Sequence, residues 1–250
     1  MRFEQVKSIG IMGGGVMGGG IAQIMAIAGY DVIVRDLTRE LVEVTRDAVF
    51  EGRWGMKRAV ERGKLSFDQC AEAISRIEFT LAPRDLRDVD LVIEAVPEKL
   101  DLKQQVFAEL DTLIKPEAIF TTNTSGFPVV DVARDVSETR KALFAGMHYS
   151  NPVPTMKMCE VIYTPQTSQE TVDAVRGVAE RAGRAVSLVK DEPGSYGFVM
   201  NRIFAAAKRE ADKIVDAGIA TREDVDRAMM TGRNWPAAFY GQRGGIGKQW

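Results

Sequence analysis

The sequence predicts an α/β protein: a mostly parallel sheet covered by helices, followed by a small all-helical C-terminal domain. Three observations carry this expectation. Short apolar runs of strand length alternate with helical stretches from residue 6 to about residue 190, the pattern of a parallel sheet built from crossover units. A glycine-rich turn joins the first apolar run to the first helix. Composition then changes at Asp191-Glu192-Pro193-Gly194-Ser195-Tyr196-Gly197, beyond which the apolar patterns are helical.

Taken in order, Val6–Met12 reads as a short buried strand, 21–28 as a helix that Gly29 would stop, and Tyr30–Asp36 as a second strand. Together they form one βαβ unit. Residues 38–78 read as helical and heavily charged, with breaks at Gly52, Gly55 and Gly63. Asp90–Val96, closed by Pro97, is a further strand; a helix follows over 99–114, then a strand over 118–122. Ala142–His148 and Met158–Tyr163 are two more strands, joined by a turn rich in Asn151, Pro152 and Pro154. A helix near 168–182 and a strand at Ala185–Val189 complete the alternation. The domain boundary is placed near residue 190, giving domains of 1–190 and 191–250. Beyond it one helix covers 198–217 and stops at Gly218, and Thr221-Arg222-Glu223-Asp224 has the form of a capping box opening another.

Composition narrows the function classes. The chain is 45% hydrophobic and 27% charged, with 33 Lys+Arg against 35 Asp+Glu for a formal charge of −2. That balance lacks the basic footprint of a nucleic-acid binder. Cys70 and Cys159 do not make a disulfide framework, and no Cys or His cluster offers a zinc site. The single histidine, His148, excludes a multi-histidine metal centre. The glycine turn follows the start so closely that a signal peptide has no room. No apolar run reaches the ~18 residues a membrane span requires. A reduced, soluble, cytoplasmic protein is expected, with no nucleic-acid, membrane or metal partner.

Gly13-x-Gly15-x-x-Gly18 follows a strand and opens a helix. The glycines give the tight turn, the close approach of backbone to a pyrophosphate, and close helix–strand contact. The helix start, with Val16 and Met17, presents N–H groups and positive dipole to phosphates. Asp36 ends the second strand, placed to accept hydrogen bonds from a ribose diol; its charge favours NAD over NADP. Arg35 beside it is a group that partners phosphate. The alternative is a glycine turn that merely lets a helix pack tightly, but strand, helix, second strand and acid in register point to a Rossmann-type dinucleotide site.

Phe144-Ala145-Gly146-Met147-His148-Tyr149-Ser150-Asn151-Pro152-Val153-Pro154 precedes Met156-Lys157-Met158-Cys159-Glu160. His148 ends one apolar strand and Glu160 begins the next, so a reversal between them sets imidazole against carboxylate. Imidazole, with an unperturbed pKa of about 6.5, suits proton transfer near neutrality. A carboxylate on its far nitrogen fixes the tautomer and stabilises the imidazolium. On spacing alone, a lone histidine by an apolar strand is usually structural, and Glu160 reads as a solvated charge.

Together the segments GGGVMGGGIAQ (13–23), DLVIEAVPEKLDLK (90–103), TNTSG (122–126), FAGMHYSNPVPTMKMCEVI (144–162) and GFVMNRI (197–203) resemble the NAD-dependent L-3-hydroxyacyl-CoA dehydrogenase family. The resemblance implies hydride transfer between NAD and C3 of a 3-hydroxyacyl-CoA. It makes His148 the acid/base, Glu160 its orienting partner, and Ser125 and Asn201 hydrogen-bonding groups around the reacting oxygen. It also sets Glu98 and Lys103 near the cofactor. Taken alone, Ser125 and Asn201 read as helix caps, and Glu98 and Lys103 as a surface i,i+5 charge pair. The resemblance further implies a homodimer.

The pattern departs at three places. Gly126 stands where the family carries a second serine. The family's proline–glycine–phenylalanine lead-in to the last domain is split here by Ser195-Tyr196. The stretch from Asn234 to Trp250 begins in family fashion and then diverges, and the helical domain is expected to be shorter than the family's. Arg53, Lys57, Arg58, Arg62 and Lys64 form a basic stretch suited to CoA phosphates or to a solvated face. A related dehydrogenase acting on a free hydroxy acid or alcohol, and a non-catalytic NAD-binding protein, are the competing readings.

Overall fold

A computed structural model describes residues 2–233, 235 and 238–241. The chain divides into two compact units, Met1–Tyr196 and Gly197–Trp250.

The first unit is built on eight strands: β1 Ser8–Met12, β2 Asp31–Arg35, β3 Ile77–Thr80, β4 Leu91–Glu94, β5 Ile119–Thr122, β6 Phe144–Tyr149, β7 Met158–Tyr163 and β8 Ala185–Lys190. They form one sheet in the order β3-β2-β1-β4-β5-β6-β7-β8. Every neighbouring pair is parallel except β6 and β7, which run antiparallel. The helices of this unit are α1 Val16–Ile27, α2 Arg39–Phe50, α3 Met56–Glu61, α4 Phe67–Ser75, α5 Leu100–Leu113, α6 Val129–Val132, α7 Glu138–Lys141 and α8 Gln169–Arg181.

Strand alternation decides which side chains become core and which are left for chemistry. Ile9, Ile11, Leu91, Ile93, Met147, Tyr149, Cys159 and Val161 join one buried cluster with Ile21, Ile24 and Met25 of α1 and Val175 and Val178 of α8. Residues of the opposite parity face α5 instead. There Phe107 packs on Phe144 and Phe120, with ring centroids 4.6 and 5.8 Å apart. His148 shares the parity of Phe144, so it stands on the α5 side of the sheet.

Two expectations shift. The first helix begins at Val16, ahead of residue 21, because Gly18-Gly19-Gly20 is helix and not turn. Its glycines answer to packing: a β-carbon on Gly20 would sit 2.9 Å from Val153 Cβ. The segment 38–78 is not helical throughout, since Ile77–Thr80 is the edge strand β3, paired parallel to β2 from Val32↔Ile77 to Arg35↔Thr80. The expected breaks at Gly52, Gly55 and Gly63 fall between helices, since α2 ends at Phe50, α3 spans Met56–Glu61 and α4 opens at Phe67; Thr38 starts α2 by accepting the Leu41 N–H, and Ser66 and Gln69 form a capping box on α4.

Asp191, in the segment where composition changes, is 5% exposed and accepts the N–H groups of Val129 and Val130 at 3.0 and 2.8 Å. Burial pushes its carboxyl up, and these two donors tie the segment to α6 of the first unit. The second unit contains α9 Val199–Asp216 and α10 Arg222–Gly232. Thr221 caps α10 by accepting the Asp224 N–H, and its hydroxyl donates to the Asp224 carboxylate at 2.7 Å. Tyr240 donates its hydroxyl to Asp212 of α9 at 2.7 Å, and Asp226 accepts the Phe239 N–H at 2.8 Å.

Candidate functional site

From β1 the chain passes outward to β2 on one side, and β4 lies on the other, so the sheet order reverses between β1 and β4. Ligands of open α/β sheets bind at the carboxyl ends of the strands at such a reversal. Gly13 occupies it with φ of 95°, a conformation that glycine adopts without steric cost. A β-carbon there would lie 2.8 Å from the Ala95 carbonyl oxygen at the end of β4, and one on Gly18 would overlap the Gly13 carbonyl. At Gly15 nothing stands within 4 Å of where a β-carbon would be. The turn is therefore packed on its inner side and open at Gly15 and the first turn of α1, where Val16 is 77% exposed and Met17 half-buried. An open glycine next to a helix N-terminus fits a pyrophosphate.

Asp36 stands just past β2 and does more than the spacing suggested. Its Oδ2 accepts the Gly14 N–H at 2.9 Å, and its Oδ1 accepts the Leu37 N–H at 2.7 Å. The carboxylate is thereby fixed beside the turn, with further lone pairs on each oxygen to meet a diol. Thr45 of α2 braces the same turn by donating to the Gly14 carbonyl at 2.8 Å. Arg35 is turned elsewhere, its Nε donating to the Leu81 carbonyl at 3.3 Å.

The β6–β7 register pairs His148 directly with Glu160. Opposed residues on antiparallel strands share a face, and His148 Nδ1 lies 2.8 Å from Glu160 Oε2. His148 is 4% exposed and Glu160 2%. The turn between them is held by Arg184, whose buried guanidinium donates to the carbonyls of Val153 and Met156. On the reverse face, burial pushes the Cys159 thiol up to about 12 and also raises the Tyr149 phenol.

Ser125 follows β5, the parallel neighbour of β6. Asn123, between them, accepts the Tyr149 N–H at 3.0 Å and joins the two strand ends. The Ser125 N–H donates to Glu98 Oε1 at 2.9 Å, and the Thr124 hydroxyl donates to the same oxygen at 2.6 Å. Glu98 Oε2 lies 3.2 Å from the Lys103 ammonium, which also donates to Glu94 Oε1 at 2.7 Å. Glu98 and Lys103 are thus not a surface pair: Lys103 is 1% exposed and Glu94 fully buried. Sequence reading passed over Glu94 and Thr124. The signal for Glu94 was an acid ending the apolar run Leu91-Val92-Ile93. Two departures from the family pattern lie close together: Phe127, next to Gly126, packs edge-to-face on Tyr196 with centroids 5.4 Å apart. Asn201 lies in the first turn of α9, in the second unit.

The basic stretch divides. Lys57 and Arg58 are exposed and pair with Glu51 and Glu61 at 2.7 and 2.6 Å. Arg53 and Arg62 lie over the Trp54 ring, 5.1 and 5.5 Å from its centroid. Trp54 lines two cavities. One of about 300 Å³ is lined by Gly15, Gly19, Val44, Ala48 and Pro152; the other, of about 220 Å³, by Ile24, Arg62, Lys64, Lys157 and Arg184. Among the described residues no group of three or more His, Cys, Asp or Glu is arranged to hold a metal ion, and no helix is long and apolar enough to cross a membrane.

Residues 8–192 match the family described as 3-hydroxyacyl-CoA dehydrogenase, NAD binding domain, and residues 197–247 match the 3-hydroxyacyl-CoA dehydrogenase C-terminal domain. A probable 3-hydroxybutyryl-CoA dehydrogenase of Deinococcus radiodurans is 39% identical over 227 residues, covering 91% of this chain and 78% of the relative. The human mitochondrial hydroxyacyl-coenzyme A dehydrogenase is 35% identical, with 92% of this chain and 73% of that protein covered. The crystal structure of (S)-3-hydroxybutyryl-CoA dehydrogenase PaaH1 from Ralstonia eutropha superposes with a TM-score of 0.87 at 33% identity, covering 94% of this chain and 80% of that one. With the glycine turn at the switch point and the His148–Glu160 pair in place, these matches establish that the chain belongs to the 3-hydroxyacyl-CoA dehydrogenase family.

Proposed function

We propose that this protein oxidises the C3 hydroxyl of a 3-hydroxyacyl-CoA with NAD, and reduces the 3-ketoacyl thioester in reverse, with His148 as the acid/base. The observation that carries the reading is the buried His148–Glu160 pair on the face away from the α1–α8 core. Glu160 accepts the Nδ1 proton, so the neutral ring presents Nε2 as its base. His148 takes the hydroxyl proton at Nε2, and the Glu160 carboxylate stabilises the positive ring that results. Burial strengthens that attraction, since little water screens it. NAD, when bound, supplies the acceptor for the hydride that leaves C3. In reverse, Nε2 returns the proton to the oxygen on C3. Ser125 hydrogen-bonds to that oxygen, and the family likeness assigns Asn201 the same role.

The open glycine turn and the first turn of α1 take the pyrophosphate through Gly13, Gly15, Val16, Met17 and Gly18. Asp36 accepts the ribose hydroxyls and repels a 2′-phosphate, which selects NAD. Glu98, its side chain about a third exposed, is the acid of its network within reach of the cofactor side. The largely apolar cavity, lined by Gly15 and Val16, belongs to the cofactor turn, and the other, beyond Trp54, carries Arg62, Lys64 and Lys157 for the phosphates of the CoA arm. The two free thiols, both buried, suit a reducing cytoplasm. Val199 and Ile203, exposed at 48% and 61% one turn apart on α9, offer an apolar stripe for a homodimer, which sedimentation velocity tests.

NADH formation from 3-hydroxybutyryl-CoA and from free 3-hydroxybutyrate tests the substrate assignment. A kcat/KM at least ~100-fold higher for the thioester is expected, because the CoA contacts are lost with the free acid. Equal turnover of the two removes the CoA assignment in favour of a hydroxy-acid dehydrogenase.

A further inference from the structure

The residues that split the lead-in to the last domain, Ser195-Tyr196, form an ordered turn. The Ser195 N–H donates to the Glu192 carbonyl at 3.2 Å, across Pro193 and Gly194, whose φ is 79°. Proline followed by a glycine of positive φ is the type II arrangement. The Ser195 hydroxyl fastens the turn by donating to Glu192 Oε2 at 2.7 Å. Tyr196 is thereby held edge-to-face against Phe127, yet remains 62% exposed. Phe127 is itself fixed, because its N–H donates to the Thr124 hydroxyl oxygen at 3.0 Å. Partial burial holds the Tyr196 phenol above its ordinary value, the Glu98 charge adds to this and Lys103 opposes it, so the ring is neutral near pH 7.

These rings lie on the face of the sheet that carries His148. A β-carbon on Gly146 would stand 3.0 Å from Val129 Cγ2, and Gly146 shares the parity of His148 on β6. The segment that bears Ser125, Phe127 and Val129 therefore covers the face opposite α1. Asp191 accepts the Val129 and Val130 N–H groups and so brings the Tyr196 turn to the same face. We propose that Phe127 and Tyr196 form an aromatic wall against which the acyl chain beyond C3 lies, with Tyr196 setting the preference for chain length. This rests on the dehydrogenase reading, in which Ser125 marks the place of the oxygen on C3. From that point the thioester leads toward the CoA arm, whose cations stand in a cavity lined by Ile24 of α1. The alkyl end is left with the opposite face, where the rings beside Ser125 offer it apolar cover. A ring already fixed by an ordered turn takes an alkyl chain without first having to be ordered itself.

The test compares wild type with Tyr196→Ala, which removes the ring, and Tyr196→Phe, which removes only the hydroxyl. Two ratios are read: kcat/KM for 3-hydroxyoctanoyl-CoA over 3-hydroxybutyryl-CoA, and Kd for butyryl-CoA over octanoyl-CoA by calorimetry, which needs no turnover. Each methylene taken from water contributes about fourfold. Both ratios should therefore fall by about tenfold or more in Tyr196→Ala and stay within about threefold of wild type in Tyr196→Phe. Ratios unchanged in Tyr196→Ala overturn the proposal. Ratios that rise make Tyr196 a stop that shortens the site, and overturn it too. An equal fall in both variants assigns the effect to the hydroxyl and overturns the aromatic wall. A wild type inactive on every 3-hydroxyacyl-CoA defeats the dehydrogenase reading, while the Kd ratio still decides the role of Tyr196. A wild type that binds neither acyl-CoA overturns both.

Discussion

Glu160 holds the Nδ1 side of His148 at 2.8 Å from the position directly opposite on the neighbouring antiparallel strand. The pair is set by strand register, not by a mobile loop. A one-residue slip would move every side chain of a strand to the other face, exchanging Glu160 for Cys159 or Val161. The apolar alternation that buries Met147, Tyr149, Cys159 and Val161 thus also aligns imidazole and carboxylate.

Glu160→Gln keeps the size of the side chain and an acceptor for Nδ1–H, and removes the charge. We expect kcat to fall by about 10²-fold or more, with NADH Kd within about twofold, since the lost term acts on the imidazolium alone. Steady-state kinetics beside a fluorescence titration check this. A kcat within about threefold of wild type shows that the charge of Glu160 contributes nothing to proton transfer.

Asp36→Asn should act on the cofactor and not on the chemical step. The amide oxygen still accepts the Gly14 N–H, the Leu37 N–H loses its acceptor, and each bond to a ribose diol falls from about 1.5–3 kcal/mol to the about 0.5–1.5 kcal/mol of a neutral one. NADH Kd is expected to rise about tenfold or more while NADPH Kd falls or stays level, narrowing the preference. An unchanged NADH-to-NADPH ratio removes Asp36 from cofactor selection.

Cys159 sits beneath the site with its thiol pushed by burial up to about 12. An unfolded thiol ionises near 8.5, so between that pH and about 12 the folded state holds a proton that the unfolded state releases. Stability from this group is therefore full below about pH 8.5 and lost as pH rises toward 12. Reactivity follows the same sign: a maleimide at pH 8 should leave Cys159 unmodified in the native protein and label it in urea. Rapid native labelling of Cys159, located by peptide mass, contradicts this burial.

The sheet and its order of elements were legible because buried parallel strands read as apolar runs between helical patterns. β3 was not: Ile77–Thr80 is a four-residue edge strand with one buried position, too short for alternation to stand out from the charged helices before it. The four-residue helices α6 and α7 escaped for the same reason of length. At the site, Asp36 was marked by its place at a strand end and the His148–Glu160 juxtaposition by the reversal between two apolar strands, while spacing alone left a structural histidine open and only the family resemblance assigned the pair a role. The Glu94–Lys103–Glu98 network was not, because an i,i+5 pair carries no sign of burial. Only the fold of α5 against β4 converts it from a surface pair into an enclosed one.

In the proposed mechanism His148 moves the proton. The most direct test is kcat of His148→Gln at saturating NAD and 3-hydroxybutyryl-CoA, with NADH Kd measured on the same preparation. The chain has a single histidine, so no second imidazole can substitute. A kcat lower by about 10³-fold with Kd within about twofold of wild type is expected. A variant that turns over near the wild-type rate would contradict it.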